Sequence, residues 1–317
     1  MSGTVLVISH THDVHAADVL QRLAQRGADA LLFDTARIPR ETSLAISHDP
    51  QNGWGGSAQL EGRTLELASV RAVWWRRPQP FQLHTEVGSA EDRGFAIGET
   101  HAAVSGLWSL LDAKWINDPE SNEKADRKAW QLKAARAAGL TIPRTCITND
   151  PGRARAFIEE EPGEVIYKAF SATERTWRET RVLRRGELAQ LDAVKFAPVI
   201  FQEYVPARVD LRVTVVGDAI FAAEIHSQAT AYKHDFRMAM DQAKIASHRL
   251  SPAIEAALHQ LMAALGLVYG AIDLRQTPDG DYVFLEVNPA GQWLFIEHRT
   301  GQPISDSIAS RLAADAA

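Results

Sequence analysis

Two carboxylates and one amide lie in two apolar segments near the end of the sequence. The segment YVFLEVN contains Glu286 and Asn288, and the earlier segment YGAIDLR contains Asp273. Because side chains alternate between the faces of a strand, Glu286 and Asn288 share a face. Folding the two segments into a hairpin about a turn near Asp279 brings Asp273 roughly opposite Glu286. Three oxygen-bearing side chains are therefore expected at one place.

These three side chains have the chemistry of a magnesium site. Two carboxylates at close range repel each other unless a cation lies between them. Carboxylate and amide oxygens are hard ligands of the kind Mg²⁺ prefers, above all where phosphate oxygens complete its coordination. The alternative is that Asp273 flanks a turn and Glu286 forms a structural salt bridge. The matched spacing of all three favours a metal site formed by Asp273, Glu286 and Asn288.

Cationic side chains suited to phosphate occur earlier in the sequence. Lys168 lies in the apolar strand segment EVIYKAF, where a lysine is unusual without an anionic partner. Its alternative is an edge residue whose ammonium reaches solvent. Lys128 lies toward the start of a helix predicted over 121–138, and its alternative is a solvated surface lysine. Arg212 faces the same side as Asp210 and could bind a phosphate or a reaction intermediate, the alternative being a surface salt bridge between these two residues.

The segment APVIFQEYVP is an apolar strand that becomes polar at its end. Such a strand end can offer backbone N–H and C=O groups to the edge of an adenine. The predicted adenine hinge consists of Gln202, Glu203, Tyr204 and Val205. Asp210, which follows, could then hold the ribose hydroxyls.

Three further polar features have both functional and structural interpretations. Arg237 could contact the same intermediate or the carboxylates of a peptide, or it could pair with Asp235 at the surface. His226 is more typical of a hydrogen-bonded residue than of a catalytic base. Arg76 and Arg77 follow the apolar segment VWW and could bind an acidic peptide or simply close a strand.

The elements that must position these residues indicate an α/β protein with three successive parts. A strand at 4–9, a helix at 14–26 and a second strand at 29–34 form a βαβ opening, which implies a parallel sheet. One helix is predicted over 121–138, and hairpins are predicted over 210–227 and 269–288. The predicted domains are an N-terminal α/β domain over 1–118, a central α+β subdomain over 119–205, and a C-terminal α+β subdomain with the metal site over 206–317.

The composition is that of an ordinary globular protein. Of 317 residues, 45% are hydrophobic and 23% charged, and the net charge of −6 argues against a nucleic-acid-binding surface. The single cysteine, Cys146, makes no internal disulfide and fits a reducing compartment. The sequence has neither the features of a signal peptide nor the roughly 20 apolar residues of a membrane span. We therefore expect a cytoplasmic protein that binds neither nucleic acid nor membrane.

Taken in order, these residues resemble the ATP-grasp superfamily from about residue 117 onward. The shared elements are a helix-borne lysine, a strand lysine, an adenine hinge, an acid followed by arginine, and a closing D…E-x-N. Longer phrases resemble the ligases that make microviridins and other graspetides, and they span nearly the whole chain. These phrases include VWWRRP, WINDP, GLTIPRTCITNDP and FLEVNPAGQWLFIEHRTGQPI.

The resemblance implies an ATP-grasp fold, with a pre-ATP-grasp domain at the N-terminus, and ATP and Mg²⁺ as cofactors. It implies that Lys128 and Lys168 neutralise the ATP phosphates and that Arg212 steadies the transferred phosphoryl group. The implied reaction activates Asp or Glu side chains of a ribosomally made precursor peptide that carries a leader. Ser or Thr hydroxyls then form ester cross-links, or Lys amines form amides. A homodimer is also implied.

Two points remain open at this level. Many relatives carry a glycine-rich phosphate loop after the strand lysine, whereas this chain has no glycine over 171–185, so no phosphate-loop residue is assigned.

The same nucleotide site would also serve a carboxylate–amine ligase acting on free amino acids, short peptides or a protein C-terminal glutamate. A nucleotide-binding scaffold and an unrelated α/β binding protein are further alternatives. The complete set of lysines, Arg212 and metal ligands argues against the scaffold.

Overall fold

The computed structural model describes residues 3–51, 53–60, 62–170, 180–230 and 242–317. The N-terminal elements form two sheets and two long helices. In chain order they are β1 (Thr4–Ile8), α1 (Val14–Gln25), β2 (Ala30–Phe33), β3 (Ser43–Asp49), β4 (Gly53–Leu60), β5 (Arg63–Glu66), β6 (Val70–Trp75), α2 (Ala90–Leu110) and β7 (Lys114–Ile116). The predicted parallel sheet is confirmed, with strand order β2-β1-β6-β7, and β3-β4-β5 form a separate antiparallel sheet.

The parallel sheet is covered on both faces, which explains its continuous apolar strands. All five residues of β1 are buried. Val5 and Val7 pack against α1 and against residues from the end of the chain, while Leu6 and Ile8 pack against α2. The C-terminal end of the chain therefore contributes to the core of the N-terminal sheet.

The central elements form a second, antiparallel sheet. In chain order they are α3 (Pro119–Ala125), α4 (Lys128–Ala137), β8 (Thr145–Thr148), α5 (Pro151–Glu160), β9 (Val165–Lys168), β10 (Arg181–Val182), a 3₁₀ helix (Arg185–Phe196) and β11 (Val199–Glu203). The strand order is β10-β9-β11-β8.

The prediction of one helix over 121–138 is wrong, because the chain breaks between α3 and α4. Asp118 caps the start of α3 by accepting from the N–H of Ser121 at 2.8 Å. Arg127 has an extended backbone, with φ −72° and ψ 103°, and so interrupts the helical path. Lys128 is consequently the first residue of a new helix, α4, and the axis of α4 does not continue the axis of α3.

The C-terminal elements form a five-stranded antiparallel sheet. In chain order they are β12 (Val209–Val216), β13 (Ala219–Ile225), β14 (Ile245–Ser247), α6 (Pro252–Leu265), β15 (Tyr269–Gln276), β16 (Tyr282–Asn288), α7 (Leu294–Thr300) and α8 (Ile304–Ala316). The strand order is β14-β13-β12-β15-β16. Helices α4 and α6 cover one face, and α7, α8 and the N-terminal elements pack against the other. The domain limits at 118 and 205 stay a prediction.

None of the helices in the described ranges has the length and apolar character needed to cross a membrane.

Candidate active site

The three predicted metal ligands lie on the neighbouring strands β15 and β16. Asp273 is the register partner of Glu286, and Asn288 is the partner of Ala271. The predicted pairing across the hairpin is confirmed. The register shifts immediately after Asp273, so an irregularity in the ladder lies beside the two carboxylates.

Strand β12 brings two further charges against β15. Arg212 is opposite Asp273, and its Nε lies 3.1 Å from Asp273 Oδ1, with both side chains 8% exposed. Asp210 is opposite Arg275, whose Nε donates to Asp210 Oδ1 at 2.8 Å. The interpretation of Asp210 and Arg212 as a surface salt bridge is therefore wrong. Each is buried and pairs with a residue of the next strand.

Helix α4 adds a cation at the other end of this row. Lys128 Nζ donates to Glu286 Oε2 at 2.8 Å. Arg212, Asp273, Glu286 and Lys128 thus form a row across strands β12, β15 and β16 and helix α4, in which the two carboxylates lie between the two cations; we call these four residues the charged row. Glu286 therefore does form the salt bridge that was the structural alternative to a metal site. Its partner is Lys128, the residue predicted to bind phosphate.

Gln131 fixes the position of Lys128. Its Nε2 donates to the carbonyl of Val287 at 2.8 Å, and its Oε1 accepts from the N–H of Val287 at 3.1 Å. The side chain therefore pairs with the edge strand β16 as another strand would. Residues three apart lie on the same helix face, so this pairing places Lys128 beside Glu286. Sequence reasoning missed Gln131, although its i, i+3 spacing from Lys128 was available as a signal.

The second predicted lysine lies near the adenine hinge. Lys168, the last residue of β9, donates from Nζ to Gln202 Oε1 at 3.2 Å. Gln202 is buried and donates from Nε2 to Thr145 Oγ1 at 2.8 Å. The side chain of Gln202 thus orients the lysine, and its backbone belongs to β11.

The rest of the hinge is held from two sides. The N–H of Glu203 donates to the carbonyl of Arg144 at 3.0 Å, and that of Tyr204 donates to the carbonyl of Glu164 at 2.8 Å. Arg275 Nη1 donates to the carbonyl of Val205 at 2.8 Å, and its guanidinium lies 5.2 Å from the centre of the Tyr204 ring. Arg275, which sequence reasoning also missed, therefore links the hinge to the C-terminal sheet.

The environment of Asp210 bears on its predicted ribose contact. The residue is 1% exposed, and it accepts from Arg275 on one oxygen and from the hydroxyl of Ser227 on the other. Both carboxylate oxygens thus already have partners within the protein, and almost none of the residue is accessible to a ligand. The ribose role of Asp210 stays a prediction.

Asp126 adds a carboxyl near the charged row. Burial raises the pKa of Asp126; the neighbouring Glu286 carboxylate also raises it, and the Lys128 ammonium lowers it.

Over the part of the chain the structure describes, no group of three or more His, Cys, Asp or Glu residues has metal-site geometry. The predicted site instead consists of two carboxylates and the amide of Asn288, whose Oδ1 also accepts from the N–H of Ala290 at 2.9 Å. This hard oxygen donor set fits Mg²⁺.

Two other predicted residues have structural surroundings. His226 Nε2 lies 3.0 Å from Glu224 Oε1, which agrees with the hydrogen-bonded interpretation. The N–H groups of Arg76 and Arg77 both donate to the carbonyl of Ile8, so these residues close a strand. The side chain of Arg76 is 1% exposed, and its proposed contact with a peptide is therefore wrong. Arg237 and the segment 171–179 lie outside the described residues.

Two family models match the chain and together span nearly all of it. A model described as an MvdD pre-ATP grasp domain matches residues 4–123, and one described as a RimK-like ATP-grasp domain matches residues 125–312. The chain belongs to the ATP-grasp family. ATP-grasp enzymes are ligases that use ATP and Mg²⁺, so the predicted fold, enzyme class and cofactors are confirmed.

Solved structures of ATP-grasp ligases are similar over almost their full length. The macrocyclase MdnC from Microcystis aeruginosa MRC, bound with precursor peptide MdnA, is 30% identical to this chain. The two structures superpose with a TM-score of 0.85, over 98% of this chain and 99% of the MdnC chain. A RiPP-associated ATP-grasp ligase from Chryseobacterium gregarium, in complex with ADP and a leader and core peptide, is 28% identical with a TM-score of 0.90, covering 99% and 98%. The ATP-grasp ligase PsnB, complexed with minimal precursor, Mg and ADP, is 26% identical with a TM-score of 0.78, covering 99% and 97%. The comparison with curated proteins found no match. The resemblance to graspetide ligases is confirmed.

Proposed function

We propose that this ATP-grasp ligase activates Asp or Glu side-chain carboxylates of a ribosomally made precursor peptide. Ser or Thr hydroxyls of the same peptide then form macrocyclic esters, or Lys amines form amides. The observation that carries the proposal is the charged row, in which two neighbouring carboxylates on adjoining strands are flanked by a cation at each end. This arrangement can bind a metal ion and polyphosphate side by side.

The residues of the charged row have separable roles. Asp273, Glu286 and Asn288 would hold Mg²⁺, which when bound draws charge from the phosphates of ATP. Lys128 and Lys168 contact the α- and β-phosphates, and the hinge Gln202–Val205 presents backbone groups to the adenine. Arg212, a planar cation fixed against Asp273, orients the phosphoryl group as it passes to the substrate carboxylate.

The chemistry needs no covalent bond to the enzyme. The substrate carboxylate attacks the γ-phosphorus of ATP and ADP leaves, which gives an acyl phosphate on the peptide. A hydroxyl or amine of the peptide then attacks the acyl carbon, loses its proton and expels phosphate. The peptide has lost one water for each bond formed. We propose that Arg212 and Arg237 shield and orient the acyl phosphate, because its hydrolysis would waste ATP.

The partner is proposed from the relatives. The structures of MdnC and of the Chryseobacterium gregarium ligase contain precursor peptides, and this chain covers nearly all of both proteins. We propose a precursor with a leader and with a core that contains Asp or Glu together with Ser or Thr. The single cysteine favours action in the cytoplasm. We further propose a homodimer.

The proposal is tested by ADP release against a panel of acceptors. The panel contains peptides encoded beside the gene, the same peptides without their leaders, free amino acids, and a protein ending in glutamate. We expect release only with a full-length precursor and Mg²⁺. Release with free amino acids or the C-terminal glutamate, and none with any precursor, would instead establish the carboxylate–amine ligase.

A further inference from the structure

Arg76 is a buried arginine far from the charged row in sequence. It follows β6 of the N-terminal sheet, and its side chain is 1% exposed. Burying a guanidinium is costly unless its charge and its donors are satisfied. Its Nε lies 3.1 Å from Asp13 Oδ2, which supplies the opposite charge. Asp13 is itself fixed, since it caps α1 and accepts from the hydroxyl of Ser9 at 2.8 Å.

The other contacts of Arg76 reach the loop that follows the metal ligands. We call Pro289, Ala290 and Gly291 the 289–291 loop. Arg76 Nη1 donates to the carbonyl of Ala290 and, at 2.9 Å, to the carbonyl of Gly291. One guanidinium thus joins a carboxylate of the N-terminal domain to two successive carbonyls of the loop.

Two other buried side chains complete the support of this loop. Asn117 Nδ2 donates to the carbonyl of Pro289 at 3.2 Å, and the hydroxyl of Tyr269 donates to the carbonyl of Gly291 at 2.8 Å. Each carbonyl of the 289–291 loop therefore accepts from a buried side chain. A loop with its carbonyls fixed in this way has little freedom to rotate its peptide planes.

The loop in turn holds a predicted metal ligand. The N–H of Ala290 donates to Asn288 Oδ1 at 2.9 Å, and the N–H of Gly291 donates to the carbonyl of Asn288 at 3.2 Å. A Cβ at Gly291 would lie 2.3 Å from the Cβ of Ala271, so the loop packs directly against β15. The same Cβ would lie 3.4 Å from Arg212 Nη1, which places the loop at the end of the charged row.

We propose that Arg76 is a positioning residue that acts from the N-terminal domain, through the 289–291 loop, on the metal ligand Asn288. The path is short: Arg76 fixes the carbonyl of Ala290, and the N–H of Ala290 fixes the side chain of Asn288. The inference rests on the metal site proposed above. It assigns the N-terminal domain a direct part in forming that site.

The test measures cation binding and loop protection in Arg76→Lys. A lysine keeps the positive charge, but it cannot bond Asp13 and both loop carbonyls in one fixed plane. With Mn²⁺ as the probe and a non-hydrolysable ATP analogue present, we expect affinity to fall about 10-fold to 100-fold, the range found when groups supporting metal ligands are removed. Hydrogen exchange of a peptide containing residues 288–291 should increase. The maximum rate of ADP release should fall more than the KM for peptide rises.

The matched control is Arg22→Lys. Arg22 also joins an N-terminal helix to the C-terminal elements, with Nη2 donating to Glu297 Oε1 at 2.8 Å, but it does not contact the loop. This variant should keep wild-type Mn²⁺ affinity and loop exchange. If Arg76→Lys does not fold, the double variant Asp13→Asn with Arg76→Gln replaces it. That variant removes both buried charges and keeps a helix cap at residue 13.

The outcomes separate this inference from the proposed function. Wild-type Mn²⁺ affinity and loop exchange in a folded Arg76 variant would overturn the role of Arg76 and leave the metal site intact. Absence of Mn²⁺ binding by the wild-type protein would contradict the metal site, and the role of Arg76 with it. Equal losses of Mn²⁺ affinity in the Arg76 and Arg22 variants would mean that Arg76 only stabilises the domain interface in general, and would overturn its specific role.

Discussion

Lys128 and Glu286 form an ion pair at 2.8 Å, and each side chain is 21% exposed. One partner was predicted to bind phosphate and the other to bind Mg²⁺. A partly exposed pair of this kind contributes about 1 kcal/mol or less to stability, so contacts with a nucleotide and a metal ion can replace it. The pair keeps both side chains in place at the edge of β16.

Removal of the Glu286 charge tests the metal site. Glu286→Gln keeps the shape of the side chain but supplies a weaker ligand, so we expect ADP release in the presence of precursor peptide to fall to background. The melting temperature should change little, because the lost ion pair contributes about 1 kcal/mol or less. A coupled ADP assay and a thermal melt measure the two effects. Full activity in this variant would show that Glu286 is not a metal ligand.

Lys128 can be tested against another lysine of the same helix. Lys128→Met removes the charged contact with phosphate proposed for this residue; such a contact is worth about 1.5–3 kcal/mol, so kcat/KM for ATP should fall about 10-fold to 100-fold. Lys133→Met is the control, because Lys133 lies 5.8 Å from the centre of the Trp130 ring and has no predicted phosphate contact. Steady-state kinetics at varied ATP compares the two. Equal effects would show that the assignment to Lys128 is wrong.

The pattern of predicted and missed residues has a physical explanation. The acids and the lysines were visible in the sequence because a charge within an apolar strand is unusual. The period of two in β-strands then placed Asp273 opposite Glu286. The break between α3 and α4 was missed because the composition of 121–138 is helical throughout, and only the extended backbone of Arg127 interrupts it.

The supporting residues could not be found in this way. Gln131 and Asn117 are ordinary polar residues, and only the folded chain shows that they bond to backbone groups more than 150 positions away. The sequence does not reveal the role of Arg275, because its partner Asp210 lies 65 positions away and is brought opposite it only by the pairing of β12 with β15. The doublet Arg76–Arg77 is conspicuous in the sequence, but nothing in the sequence indicates that the side chain of Arg76 is buried. Contacts distant in sequence decide each of these roles.

The buried pair of Arg275 and Asp210 should matter more to stability than an exposed pair. Arg275→Met leaves the Asp210 carboxylate buried without its partner, which costs about 3–5 kcal/mol. The double variant Asp210→Asn with Arg275→Met should recover part of that loss. Urea unfolding measures each free energy. A loss below 1 kcal/mol in Arg275→Met would contradict this account.

The control for that experiment is an exposed pair of the same two residue types. Arg63 donates to both carboxylate oxygens of Asp29, at 2.9 and 2.7 Å, and the two side chains are 43% and 41% exposed. Solvent screens this pair, so Arg63→Met should cost about 1 kcal/mol or less. The difference between the two methionine variants isolates the effect of burial.

His15 should give the protein a specific dependence on pH. Burial, and then the charge of Arg76, lowers the pKa of His15 from 6.5 to about 3. Because the unfolded chain takes up this proton below about pH 6.5 and the folded protein does not, the stabilisation is complete above that pH and is lost as the pH falls toward 3. The associated slope is about 1.4 kcal/mol per pH unit.

A variant that cannot be protonated measures this contribution. His15→Phe keeps a ring against Trp293, which lies 4.3 Å away between ring centres. Its free energy of unfolding should fall less steeply than that of the wild type between pH 6 and pH 4, by about 1.4 kcal/mol per pH unit. Urea unfolding at a series of pH values gives both slopes. Parallel curves would mean that His15 takes up its proton in the folded state too.

The central claim is that the protein forms bonds between side chains of a precursor peptide at the expense of ATP. Mass spectrometry of a precursor encoded beside the gene, after incubation with the protein, ATP and Mg²⁺, tests it most directly. We predict that the peptide loses the mass of one water for each ring, with one ADP released per ring. Replacing the core Asp and Glu by Asn and Gln should prevent the change. Release of ADP with every adjacent precursor left at its original mass would contradict the account.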